Sequence, residues 1–276
     1  MLPSMKKTLL SVVLIGLSVL LSSAAPPKSS GRKFVDKVLP LTVGVTAGGT
    51  IATPAEQDRF TFTGAVGQRV VFDGQGDNAI NLVVQLIAPS GEVLLWVAHS
   101  SDGGPIYLKE NGTYTVTIDG TGDVTGAYSF RILDKNAAPG LTLGATTSGQ
   151  LSPSNEMDLF KFTGTAGQRI NLESISSSST DANWFLVAPN NTSLTGNKIS
   201  VNLGEVFLPV SGAYGIMVQG ATFGGAALDY QIKVSVVSNP SGSTSGFGTP
   251  HSGTINPGET QDFTYTAPAG TVVYFD

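Results

Sequence analysis

Apolar and polar residues alternate along most of the chain with the period of two that is typical of β-strands. In one segment Tyr114, Val116 and Ile118 fall on the same face. In a later segment Tyr128 and Phe130 do the same. The pattern predicts strands near 41–46, 58–63, 68–73, 80–88, 93–98, 106–109, 113–119 and 126–133. Short strands at this spacing, separated by turn residues, predict an all-β fold of two packed antiparallel sheets, a jelly-roll-like sandwich.

The strand pattern is repeated 100 residues later in the chain. The segment 58–70, which reads DRFTFTGAVGQRV, returns without a gap at 158–170 as DLFKFTGTAGQRI. A partial third copy starts near Ser252. The copies predict a module at 37–134, a module at 141–237, a Gly/Ser/Pro-rich linker at 238–251 and a truncated third repeat at 252–276. Because about 25 residues cannot bury a core, we expect the chain to be a fragment of a longer repeat protein.

The N-terminal residues have the pattern of a secretory signal peptide. Lys6 and Lys7 supply positive charge ahead of the apolar run 9–21, and small residues follow at 22–25. The apolar run is shorter than the roughly 20 residues that a membrane-spanning helix needs. We therefore predict a signal peptide at 1–25, no membrane span after its cleavage, and a secreted or cell-envelope location.

Composition narrows the class of protein further. The net charge is -5 and no basic stripe is present, which argues against nucleic acid as a partner. The chain has no cysteine, so disulfides, thiol catalysis and lipid attachment through cysteine are excluded. A secreted eukaryotic module of this size often carries a disulfide, so this absence favours a bacterial exported protein.

Short motifs occur in the same order in both copies. They read Gly-x-Ile/Leu, Asp-x-Phe-x-Phe, Ala-Gly-Gln-Arg-Val, Leu-x-x-Pro-x-Gly, Gly-x-Tyr-x-Val and Gly-x-Tyr-x-Phe. This order resembles the bacterial pre-peptidase C-terminal domain family over 41–133, 141–236 and part of 252–276. The first copy departs from the pattern at Val66, and the second lacks the glycine after Pro189. The resemblance implies a β-sandwich attached to exported enzymes or surface proteins, sometimes binding calcium, without catalysis of its own.

The residues that could support catalysis do not form a recognisable site. The two histidines, His99 and His251, lie in unrelated places. His99 and Asp102 are neighbours in one loop, where side chains cannot converge as a hydrolase triad requires. The Gly-Ser-Thr-Ser-Gly centred on Thr244 lies in the predicted linker, and no His-Glu-x-x-His occurs. We therefore predict that the chain is not an enzyme.

Oxygen-bearing side chains that follow one predicted strand suggest a cation-binding site. Asp73, Asp77 and Asn78 cluster on a turn and are candidates for binding calcium, which prefers oxygen ligands from loops. The alternative is that they solvate the loop and form Asx-turns, since the second copy does not keep the pattern. Asp58 and Asp158 precede the Phe-x-Phe strand in both copies, and we interpret them as structural residues that hydrogen-bond a turn or loop backbone.

Trp96 and Trp184 are candidates for stacking on a sugar ring. They are not equivalent in the repeat, because Trp96 aligns with Gly196 and Trp184 with Val84. Both lie in apolar strands, so the alternative is a core or inter-sheet position for each.

These observations favour a non-catalytic exported repeat protein that serves as an adhesion, attachment or spacer array. Its partner would be an extracellular polymer, a cell-surface glycan or a protein, bound through several weak contacts. Two alternatives stay open, namely the accessory region of a secreted hydrolase such as a protease, with a catalytic domain beyond 276, and a carbohydrate-binding module. If the modules fold independently, the segment from Ser252 should be the least protected in hydrogen exchange.

Overall fold

The computed structural model describes residues 38–221, 223–237, 248, 250, 252, 263 and 265–274. These residues form seventeen strands and no helix, so the prediction of an all-β fold is confirmed. In this part of the chain no helix is long and apolar enough to cross a membrane. The predicted signal peptide at 1–25, His251 and most of the predicted linker at 238–251 lie outside the described residues.

The first sandwich consists of two sheets. Its strands are β1 (Val38–Pro40), β2 (Ala47–Ile51), β3 (Gln57–Gly64), β4 (Arg69–Gly74), β5 (Leu82–Ile87), β6 (Val93–Ala98), β7 (Gly103–Tyr107), β8 (Gly112–Gly120) and β9 (Gly126–Asp134). Sheet A has the order β1-β3-β8-β5-β6 and sheet B the order β2-β9-β4-β7. The pairs are antiparallel except that β1 runs parallel to β3. The alternating residues Tyr114, Val116 and Ile118 of β8 are fully buried and pack with Phe72 and Phe130 of sheet B.

The second sandwich repeats this arrangement. Its strands are β10 (Thr146–Leu151), β11 (Met157–Gly164), β12 (Arg169–Ser177), β13 (Ala182–Val187), β14 (Ser193–Lys198), β15 (Gly204–Phe207), β16 (Gly212–Gly220) and β17 (Leu228–Val236). Sheet C has the order β11-β16-β13-β14 and sheet D the order β10-β17-β12-β15. Trp184, Tyr214 and Tyr230 are among its largest fully buried side chains.

The predicted strand at 41–46 is wrong. These residues form a turn, in which the amide of Val45 donates to the carbonyl of Thr42 at 3.1 Å. Gly44 has a φ of +86° there, a conformation that glycine adopts without steric cost. The apolar residues around the turn pack against the core without joining a sheet, and the strand itself starts at Ala47.

An Asp–Tyr hydrogen bond links the two sheets of each sandwich. Tyr230 of sheet D donates through its hydroxyl to Oδ2 of Asp158 in sheet C at 2.6 Å. Tyr128 donates to Asp58 in the same way. The expected structural role of Asp58 and Asp158 therefore holds, but their partner here is a tyrosine hydroxyl from the facing sheet and not the backbone. Burial, and then the charge of Asp158, raises the pKa of Tyr230, so its hydroxyl stays a donor.

We expect Tyr230→Phe to lower the free energy of unfolding by about 1–3 kcal/mol, because it leaves a largely buried carboxylate without its donor. Urea denaturation followed by circular dichroism measures the change. Tyr107→Phe is the control, because Tyr107 is 43% exposed, and it should stay within about 0.5 kcal/mol of the parent. Equal effects of the two variants would contradict the inter-sheet role.

The outer face of sheet B packs against the outer face of sheet C. Sheet B and the connecting segment contribute Val71 and Ala138 to a buried apolar cluster. Sheet C contributes Met157, Leu159 and Met217, all of them 7% exposed or less, together with Val187. The sandwiches therefore share an apolar contact that the sequence analysis did not anticipate.

The described part of the predicted third repeat has no strand. Residues 265–274 are exposed, and Tyr274 is 88% exposed. The low hydrogen-exchange protection expected for the segment from Ser252 stays a prediction.

Candidate functional site

Trp96 stands on the outer face of sheet A with 71% of its surface exposed. It lies on β6, the last strand of the sheet, opposite Gln85 of β5. Leu95 and Val97, its neighbours in the strand, pack against the core, so alternation directs the indole outward. The core position considered for Trp96 is therefore wrong.

Polar side chains surround this indole in two cross-strand rows. In one row, Asp119 pairs with Gln57 on one side and with Val83 on the other. In the next row, Gln85 pairs with Thr117 on one side and with Trp96 on the other. Two concavities border the indole, one of about 210 Å³ lined by Gln57, Gln85 and Asp119, and one of about 460 Å³ lined by Asn81 and Val97. We call this surface the Trp96 face.

The Trp96 face carries a carboxylate and an oriented amide. Oδ1 of Asp119 is buried and has no hydrogen-bond partner among the described residues. Arg59 donates through Nε to Oε1 of Gln57 at 2.9 Å, which orients that amide. The face therefore combines an aromatic surface with an acceptor and an oriented amide.

Trp184 cannot contact a ligand. It is fully buried in the second sandwich, and its indole nitrogen donates to the carbonyl of Val201 at 3.0 Å. Its core position is confirmed, and its candidacy as a sugar platform is wrong because no part of the ring reaches the surface.

Two of the three calcium candidates, Asp73 and Asp77, have separate partners within the protein. Asp73 is fully buried and is paired with Arg131 at 2.7 Å. Asp77 accepts from the amide of Ala79 at 2.9 Å, which is an Asx-turn. Asn78 borders a cleft of about 370 Å³ together with Asp102. Among the described residues no group of three His, Cys, Asp or Glu could hold a metal, and a calcium site here stays a prediction.

Arg131 connects the sandwiches through an ionic cluster. It pairs with Asp73 of sheet B, and its Nη1 lies 2.7 Å from Oε1 of Glu156 in the second sandwich. Its Nη2 also donates to the carbonyl of Met157 at 2.7 Å. Burial raises the pKa of Asp73 to about 6 although Arg131 opposes this shift.

Further polar contacts lie around this cluster. Gln219 donates to Oδ2 of Asp102 at 2.6 Å, and Asn155 donates to the carbonyl of Gly74 at 3.2 Å. Lys135 is 2% exposed and donates to the carbonyl of Ala188 at 2.6 Å. Burial lowers its pKa to about 8. These bonds join residues that are more than fifty positions apart in the chain, so the contact is specific in register.

His99 and Asp102 do not form a catalytic pair. His99 is 1% exposed, and neither ring nitrogen has a hydrogen-bond partner among the described residues. Burial lowers the pKa of His99, which keeps the ring neutral. Asp102 instead accepts from the amide of Gly74 at 2.9 Å and from Gln219. Asp102 therefore belongs to the contact between the sandwiches, and His99 is held within the first sandwich, where its amide donates to the carbonyl of Leu82 at 3.0 Å.

The pH dependence of stability should report on Asp102. Burial, and then the charge of Asp73, raises the pKa of Asp102 to about 7, so the folded state binds more protons than the unfolded state between about pH 4 and 7. Stability contributed by this group is therefore present at low pH and lost as the pH rises through 7. We expect Asp102→Asn to become more stable relative to the parent by about 1–3 kcal/mol from pH 5 to pH 8. Urea denaturation at both values measures this, and a constant difference would contradict it.

Comparisons with known proteins find only distant structural likeness. No family model and no curated protein matches the chain. The periplasmic g-type lysozyme inhibitor PliG of Aeromonas hydrophila is 18% identical, with a TM-score of 0.31, over 36% of this chain and 96% of that one. The CUB1-EGF-CUB2 domains of rat MASP-1 are 8% identical, with a TM-score of 0.24, over 72% of this chain and 100% of that one. Likenesses at these TM-scores carry no argument about function.

Proposed function

We propose that this protein is a non-catalytic, exported attachment protein in which two sandwiches form one rigid unit. The observation that carries the proposal is the buried contact between sheets B and C. Domains of one chain move relative to each other by default unless their interface is large and apolar. Here an apolar cluster around Met157, Leu159 and Met217 is flanked by the buried Asp73–Arg131 pair.

The outer face of sheet D differs from that of sheet B at the positions that form the contact between the sandwiches. Asn171 and Ser235 form the cross-strand pair that corresponds to Val71 and Leu133 of sheet B. The ion pair is retained as Lys233–Glu173, but at 3.7 Å and with both side chains about a third exposed. A further copy could therefore not dock on sheet D through these positions, although Phe207 is exposed on the same face.

A rigid unit with different outer faces suits attachment. Sheet D carries Asn171, Ser235 and an exposed Phe207 on its outer face, while sheet A carries the exposed Trp96. The buried neutral ring of His99 and the engagement of Asp102 with Gln219 support a role without catalysis. Attachment through one face would leave the opposite end free to position whatever is linked to it.

Binding of the purified full chain to cell-envelope and extracellular-polymer fractions of bacteria tests the proposal. The chain, labelled with a fluorophore, should co-sediment with at least one insoluble fraction at physiological salt. An excess of unlabelled protein should displace the labelled chain from that fraction. A β-sandwich protein of similar size and charge is the control for trapping. Recovery of all of the label in the supernatant with every fraction would contradict an attachment role.

A further inference from the structure

The two copies of the repeat use the same sheet face in different ways. In sheet C this face carries Met157, Leu159, Phe185 and Met217, which pack against the first sandwich. The corresponding residues of sheet A are polar. They are Gln57, Arg59, Gln85 and Thr117. Sheet A keeps Ile87 at the position of Val187 but lacks the other four apolar side chains that would dock another sandwich in this way.

Trp96 is the exception to this loss of apolar surface. At the equivalent position sheet C has Gly196, over which the ring of Phe185 lies, since a Cβ on Gly196 would fall 2.2 Å from that ring. Sheet A therefore has tryptophan, the largest side chain, at a position where the second copy of the repeat has glycine, which has no side chain. Packing within the sandwich does not account for an indole that is 71% exposed.

The surroundings of the indole define the chemistry of its ligand. A pyranose ring has an apolar face of C–H groups, which stacks on an aromatic surface, and an edge of hydroxyl groups, which donate and accept hydrogen bonds. The Trp96 face provides the indole, the oriented amide of Gln57, the amide of Gln85 and the carboxylate of Asp119, which lines the smaller concavity. Asp119 and Arg59 carry opposite charges on this face, so the face attracts neither sign of polymer strongly, and the net charge of -5 disfavours an anionic one.

We propose that the Trp96 face binds an uncharged polysaccharide, with one sugar ring stacked on the indole. Asp119 accepts from a sugar hydroxyl, and Gln57 and Gln85 hydrogen-bond the hydroxyl groups of the same or the next ring. The two concavities that border the indole leave room for the polysaccharide to continue past the stacked ring. This inference rests on the proposed attachment role and assigns the face and the ligand class.

Affinity electrophoresis of the full chain through gels containing mixed-linkage β-glucan, mannan or dextran tests the assignment, together with depletion onto chitin and amorphous cellulose. At least one of these neutral glycans should bind the protein. Trp96→Ala should weaken that binding at least about tenfold, and Asp119→Asn should weaken it less. Phe207→Ala is the matched control, because Phe207 is 66% exposed on the edge strand β15 of the other sandwich, and it should bind like the parent.

Tryptophan fluorescence gives a second readout. The chain has two tryptophans, of which Trp184 is buried, so a blue shift and reduced acrylamide quenching on adding the glycan would come from Trp96. Trp96→Phe should abolish this change.

Several outcomes would overturn the inference. These are no binding to any of the neutral glycans, tighter binding to polygalacturonate or to protein, or equal binding by Trp96→Ala. If labelled protein still binds envelope fractions without Trp96, the attachment role stands and the Trp96 assignment fails. If neither binding is seen, both fail.

Discussion

Arg131→Met should lower the free energy of unfolding at pH 7 by about 3–5 kcal/mol, because it leaves a buried carboxylate without its counter-ion. The partner Asp73 is fully buried, and its Oδ1 already has no hydrogen-bond partner among the described residues. Methionine keeps most of the apolar stem, so the loss reports on the charge. Urea denaturation at pH 7 measures it, and the transition should separate into two steps if the pair holds the sandwiches together.

The repeat supplies the matched control for this variant. Lys233 and Glu173 form the corresponding pair in sheet D at 3.7 Å, but both side chains are about a third exposed. Lys233→Met should therefore cost no more than about 1 kcal/mol. Adding Asp73→Asn to Arg131→Met should recover part of the loss, since it removes the unpaired charge. Equal losses for the two single variants would show that burial of the Asp73 pair does not decide its contribution.

The contact between the sandwiches could have been predicted by comparing the two copies for outward-facing residues. Both copies alternate correctly on their inward faces, and this alternation gave the strands. On the outward faces, Gln57 and Arg59 of the first copy become Met157 and Leu159 in the second. Thr117 likewise becomes Met217. A change from polar to apolar on the outer face of one copy alone indicates that this face is covered.

Other features depend on contacts that no local pattern reveals. Asp58 and Tyr128 are seventy positions apart, and their hydrogen bond exists only once the two sheets face each other. The orientation of Trp96 could not be predicted from the sequence, because β6 is apolar at every position and alternation therefore does not separate the two faces of this strand. The turn around Gly44 was predicted as a strand because its apolar residues contact the core, which gives the sequence a strand-like pattern although these residues do not pair in a sheet.

Trp184→Ala is expected to destabilise the second sandwich by about 3–5 kcal/mol, the range for removing a large aromatic side chain from a packed core. The ring is fully buried, and its loss also leaves the carbonyl of Val201 without the indole donor. The neighbours of Trp184 in β13, Phe185 and Val187, belong to the apolar cluster shared with the first sandwich. Loosening β13 should therefore weaken the interface as well, which differential scanning calorimetry would detect as a lower and broader transition.

Trp96→Ala is the natural control, because it removes the same side chain from the surface. Trp96 is 71% exposed, so its replacement should change the free energy of unfolding by no more than about 0.5 kcal/mol. The two variants together separate the two roles of tryptophan in this chain. A stable Trp96→Ala that has lost glycan binding would assign its indole to a ligand, whereas a loss of stability near that of Trp184→Ala would mean that the Trp96 face is part of the packing after all.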